Sequence, residues 1–155
     1  MNRYVESQPF TFRLERVRSL RERAEDEARE QLARQMTHRV AGEAIVRQAT
    51  DVVSTARDSG RDAVLRGASG ADLIAVQAWM ERAERRRLDA VADLRRRDVE
   101  VAARREALAA AARDREAIER LERRRRADHE AEMGRRAQAA LDEVALTVHR
   151  RGTTG

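Results

Sequence analysis

Every seventh residue from Leu73 belongs to one series: Leu73, Met80, Arg87, Leu94, Val101 and Leu108. A companion series three residues on reads Val76, Ala83, Ala90, Arg97, Arg104, Ala111 and Ile118. Spacings that alternate between three and four, with charge filling nearly everything between, are the pattern of a coiled-coil helix. Neither glycine nor proline interrupts Asp72 to Ile118, so the stretch predicts an unbroken helix of about 70 Å. A lone helix with one apolar edge is poorly stable in water and needs a partner.

The partner is sought first in the same chain. From Phe12 to Asp58 the pattern is again helical. One series reads Leu14, Arg21, Ala28, Gln35, Gly42, Ala49 and Ala56, and its companion Val17, Ala24, Gln31, His38, Ile45 and Val52. This seam is thin: small residues dominate it, Leu20, Leu32, Met36 and Val40 flank it, and His38 and Gln35 act as polar register-setting positions. Thr11 is the expected N-cap. Ser59-Gly60 and Gly67-Ala68-Ser69-Gly70 then end the first helix, with a short turn at most between them. Ser69 followed by Asp72 resembles a capping box for the second.

Helix 1 (12–58) and the regular part of helix 2 (72–118) are nearly equal in length. Folded back, helix 1 runs out near Ile118, where the heptad also fails: residues 122–132 (ERRRRADHEAE) offer only Ala127 and Ala131 as apolar groups. A helix polar all round has nothing to bury. The coincidence predicts an all-α fold, a long two-helix antiparallel coiled-coil hairpin with a C-terminal helical overhang. Its parts are a lead-in (1–11), helix 1 (12–58), a hairpin link (59–71), helix 2 (72–148, with 119–148 the overhang) and a flexible tail (149–155). In the overhang Met133, Ala137, Leu141, Val144 and Val148 restore an amphipathic edge.

Composition agrees with an elongated object. Of 155 residues 39% are charged and 3% aromatic, too few large apolar groups for one compact core. The net charge is +5, and every basic side chain is arginine. The charges interleave, with acid leading base at i,i+4 in Glu25/Arg29, Glu30/Arg34, Glu43/Arg47, Glu81/Arg85, Asp93/Arg97, Glu116/Arg120 and Glu132/Arg136, as on a solvated helix face. Cysteine is absent, which removes disulfides and Cys-based metal sites. No run of 18 apolar residues and no signal-peptide core occurs, predicting a soluble cytoplasmic protein without direct membrane insertion.

Candidate chemistry is sparse. There is no phosphate-binding Gly-rich loop with Lys, no nucleophile elbow and no pocket-forming scaffold, so neither an enzyme nor a cofactor or metal is expected. His129 beside Glu130 lacks companions at ligand spacing and reads as a solvated histidine. Arg123–Arg126 is the densest basic run, but Glu119, Glu122, Asp128, Glu130 and Glu132 break it up and no aromatics interleave. A nucleic-acid-binding rod is therefore disfavoured. Trp79, on the flank of the stripe, either covers the thin seam or anchors a partner.

The string Phe12-Arg13-Leu14-x-x-Val17-x-x-Leu20-Arg21-x-x-x-Glu25, followed by Ala28 and Leu32, resembles the opening of the flagellar export protein FliJ family. Gly67-Ala68-Ser69-Gly70-Ala71-Asp72-Leu73 before Val76-Gln77-Ala78-Trp79-Met80, and the ending Leu141-Asp142-Glu143, resemble it too. The resemblance implies a stalk similar to the gamma subunit of rotary ATP synthases. Such a stalk sits in a hexameric export ATPase, promotes its assembly and activity, and links it to an export-gate membrane protein and to export chaperones. It would lie in the cytoplasm, peripherally associated with the inner-membrane export apparatus. Stalk proteins of virulence type III secretion are near relatives. Carried onto this chain, Phe12, Arg13, Leu14, Val17, Arg21 and Glu25 would contact the ATPase. Trp79 and Ala83, with Ala49, Val52 and Ala56 opposite, would contact the cytoplasmic domain of the gate. A general coiled-coil scaffold or chaperone-binding protein is the alternative reading.

Overall fold

The computed structural model describes residues 9–152. It consists of two helices, α1 (Glu15–Leu65) and α2 (Gly70–Gly152), each contributing a segment to two compact units: residues 25–111, and residues 9–24 with 112–152. Residues 1–8 of the expected lead-in and 153–155 of the expected tail lie outside the described residues.

In unit 25–111 the segments pack antiparallel: Arg104 Nη1 donates to Gln31 Oε1 (2.7 Å) and Arg97 Nη1 to the carbonyl of His38 (2.6 Å), while Gly60 lies against Met80 and Val76. The α2 stripe is where its spacing puts it. Val76, Met80, Ala83, Arg87, Ala90, Leu94, Arg97, Val101, Arg104, Leu108 and Ala111 are all buried or half-buried; Leu73, in the first turn, is just exposed.

On α1, within residues 25–111, one predicted series lies inside and most of the other does not. Ala28, Gln35, Gly42, Ala49 and Ala56 face the seam, but of the companions Ala24, His38, Ile45 and Val52 are exposed. Their places are taken one residue later by Glu25, Arg39, Val46 and Val53, while Gln31 and Leu32 are both half-buried. One residue is a rotation of about 100°. The rotated phase brings Leu32 in and sends the His38 side chain to solvent, so His38 is not a seam position.

The core is built from small side chains: Val53, Ala56 and Ala83, with Trp79 and Met80 packed against them. No large side chain is fully buried among the described residues. Close helix approach substitutes for bulk, and Gly42 shows how close. A Cβ there would stand 2.9 Å from Cδ of Arg97, whose guanidinium crosses the glycine to reach His38 and also bonds Asp93 (2.9 Å).

The end of α1 differs from the sequence reading. The helix continues through Ser59-Gly60 to Leu65, so the segment RDAVLR is helical rather than link. Gly60 serves packing: a Cβ there would lie 3.3 Å from both Met80 Sδ and Val76 Cγ1. The stop is Gly67, at φ 67°. The amide of Gly67 donates to the Val64 carbonyl (3.1 Å) and that of Ala68 to Ala63 (3.0 Å), which is a Schellman closure. Ser69 and Asp72 form the expected capping box, with Asp72 N donating to Ser69 Oγ (3.2 Å) and Ser69 N to Asp72 Oδ2 (3.3 Å).

In the unit of 9–24 and 112–152, Arg18 bonds Glu122 (3.0 Å) and Arg21 bonds Asp114 (2.9 Å), again antiparallel. Residues 12–14 form a turn, closed by the Glu15 amide on the Phe12 carbonyl (3.1 Å), and α1 begins at Glu15 rather than Phe12. Thr11 is not its cap; the hydroxyl faces the Pro9 carbonyl (3.4 Å). Nor does α2 lose its cover at Ile118. Phe10 packs on His129 (ring centroids 5.7 Å apart), and the Arg126 guanidinium lies 5.0 Å over the same ring. Phe10 thus contacts α2 as far along as His129, although residues 123–128 stay exposed. From Gly134 to Arg151 every residue except Ala140 is exposed, and the helix continues past residue 148.

Candidate docking surfaces

The six residues matched to ATPase contacts divide by burial. Phe12 and Val17 are half-buried; Arg13, Leu14 and Arg21 are exposed. The turn at 12–14 leaves Arg13 and Leu14 exposed and Phe12 half-buried beside a groove of about 550 Å³, lined by Phe10, Phe12, Leu14, Leu121, Arg125 and His129 among others. Around it the electrostatics are set by arginine. Glu122 is held below the usual carboxylate range, chiefly by the hydrogen bond from Arg126 and further by Arg18, against an opposing effect of burial. Arg18 is itself raised, first by Glu15. Residues 9–24 and 112–152 carry sixteen arginines against eleven carboxylates, so this surface offers positive charge beside apolar groups.

Glu25 belongs to the other unit and is 8% exposed, with Arg29 bonded to its carboxylate (2.8 Å). Its place is in the packing.

Of the residues matched to gate contacts, Ala56 and Ala83 are core, Ala49 is half-buried and Val52 is exposed. Trp79 packs on that core while staying half-exposed. The structure thus joins Trp79 to Ala56 and Ala83 but leaves only Trp79, Ala49 and Val52 with surface to offer. The sequence reading missed a larger apolar display nearby. Val64, Leu65 and Ile74 are 65%, 84% and 72% exposed, and Val64, Leu65, Leu73 and Met80 line a groove of about 800 Å³ with Arg57 and Arg61 on its wall. The signal was present as Val64-Leu65 and Leu73-Ile74; assigning 59–71 to a link hid it.

These surfaces suit docking. They combine aliphatic groups, an indole edge and guanidinium groups, the composition of binding patches. Among the described residues no three His, Cys, Asp or Glu side chains come together as metal ligands, and no helix is long and apolar enough to cross a membrane.

Comparison with curated proteins and with solved structures gives no match. A family model described as flagellar FliJ protein matches residues 10–154, nearly the whole of a chain whose two long helices pack as the resemblance implied. The chain belongs to the flagellar FliJ family.

Proposed function

We propose that the chain is a stalk-like component of flagellar protein export that promotes assembly and activity of the hexameric export ATPase. The observation that carries this reading, in a member of the FliJ family, is the Phe12–Leu14 turn. It presents apolar groups in the one unit where arginines outnumber carboxylates. A ring pore lined by acidic and polar groups would draw in that unit by charge and hold it by the apolar turn. Phe12, Arg13, Leu14, Val17 and Arg21 are the contacts in this scheme. A shaft without six-fold symmetry touches six subunits unequally and biases their conformations, which couples its position to the ATPase cycle. Trp79, Ala49 and Val52 face the cytoplasmic domain of the export gate, with Ala56 and Ala83 fixing the indole from beneath. Export chaperones are further partners, and the protein works in the cytoplasm beside the membrane-embedded apparatus.

The test is titration of the purified chain into the purified export ATPase. Stimulation and ring assembly at sub-stoichiometric amounts are expected. An unchanged rate together with an unchanged oligomer distribution would overturn the reading.

A further inference from the structure

Beyond Phe10, α2 runs on to Gly152 with a face that is half-buried at Met133 and exposed at Ala137, Leu141, Val144 and Val148. Met133, Ala137, Leu141, Val144 and Val148 fall on one side of the helix, with Glu130 closing that side at one end and Arg151 at the other. Leu141, Val144 and Val148 are 64%, 60% and 65% exposed.

The spacing of these positions is palindromic. From Glu130 the steps are three to Met133 and four to Ala137; backwards from Arg151 they are three to Val148 and four to Val144. Ala140 and Leu141 sit at the centre. A face with that symmetry complements itself when a second copy runs the opposite way, as a two-fold interface requires. Met133 then meets Val148 of the second copy, Ala137 meets Val144, and Glu130 meets Arg151. The flanks follow suit, since Gln138 meets Glu143. A parallel pairing stacks Glu130 on Glu130 and Arg151 on Arg151, which is repulsive at both ends.

We propose that α2 from Glu130 to Arg151 is a self-association face on which a second copy of this chain docks antiparallel. Few large side chains line it, so the pair buries on the order of 1,000 Å², at the low end of specific interfaces. The dimer is correspondingly weak, with a dissociation constant in the micromolar range or above, and its population rises with local concentration.

Sedimentation velocity on the full chain, from about 1 µM to about 500 µM, should show monomer giving way to dimer. Leu141→Asp, at an exposed position that leaves the fold intact by circular dichroism, should weaken association at least about tenfold. Glu130→Arg alone should weaken it, and Glu130→Arg combined with Arg151→Glu should restore it. Because the chain has no cysteine, Ala137→Cys and Val144→Cys proteins can be mixed and oxidised. Cross-links between the two variants should outnumber those within either. A chain that stays monomeric throughout the range overturns the proposal, as does a dimer indifferent to Leu141→Asp or a failure of the paired charge reversal. A monomer whose Leu141→Asp form loses a different protein or a lipid surface overturns it too, by giving the face another occupant.

Discussion

The two units are built from the same helices and differ in what their charges do. Residues 25–111 hold sixteen arginines and sixteen carboxylates; residues 9–24 with 112–152 hold sixteen and eleven. In the first, arginines are turned into structural parts. Arg97 spans Gly42, Arg104 reaches Gln31, and Arg39 pairs with Asp98 and Glu43. In the second, Arg18 and Arg21 likewise pair with Glu122 and Asp114, but arginines outnumber carboxylates beside the half-buried Phe12 and the exposed Leu14. Balanced charge accompanies a thin seam, and the proposed ATPase contact falls where the balance tips to arginine. Net charge for the whole chain hides that division.

The sharpest way to break the comparison is to spoil the surplus side alone. Phe12→Asp together with Leu14→Asp should reduce stimulation of the export ATPase by at least about tenfold. Helicity and the unfolding midpoint of residues 25–111 should stay unchanged, as read by circular dichroism and hydrogen exchange. A loss of helicity there would show that the two sides are not separable.

Next in size is an overpacking change in the balanced unit. Ala56 is 0% exposed and abuts Val53 and Ala83. Ala56→Leu should destabilise by about 1–3 kcal/mol, seen as an earlier denaturant midpoint, while leaving the Phe10–His129 contact in place.

Two glycines give a smaller and more diagnostic contrast. Gly134 meets nothing within 4 Å of a built Cβ, so Gly134→Ala should strengthen the helix locally by about 1 kcal/mol. At Gly42 the same gain is set against displacement of Arg97 from the His38 carbonyl, worth about 1 kcal/mol, and Gly42→Ala should come out near zero. Amide exchange around each site measures both.

The smallest effect concerns acid. Glu122, Glu84 and Asp93 all sit below the usual carboxylate range, held there first by Arg126, Arg87 and Arg97 respectively. A carboxylate lowered on folding stabilises fully above its unfolded value, and that contribution fades as pH falls through the lowered one. Stability should therefore hold through neutrality and drop only below about pH 4. Glu122→Gln should flatten that acid dependence for Phe10 and Arg18 contacts without altering it for Trp79 fluorescence.

Most of the fold was legible in α2, because Leu94, Val101 and Leu108 recur at strict sevens with no competing phase. The phase of α1 was not. Ile45-Val46 and Val52-Val53 are doublets, so two rotations a residue apart bury the same aliphatic content. Only packing against α2 decides between them, by favouring Leu32 inside. Ser59-Gly60 read as a stop because glycine weakens a helix; close contact with Met80 and Val76 gives it a reason to stay helical. The pairing of Phe10 with Arg126 and His129 joins residues far apart in sequence and follows no period, so no pattern could announce it. The gate candidates show the same limit from another side: heptad position placed Ala56 and Ala83 correctly in the seam, and for that reason they have little surface to give.

The closure at Gly67 and the Ser69–Asp72 cap have a kinetic consequence. They tie off both helix ends with bonds between near neighbours, so the shortest loop in residues 25–111 is already shaped before any distant pair meets. Gly60 against Val76 and Met80 is then the cheapest inter-helix encounter in entropy, and each later pair closes only a slightly longer one. Loop-closure entropy therefore predicts that assembly of this unit begins at its bend and zips outward, which would spare the small-residue seam a search for its register.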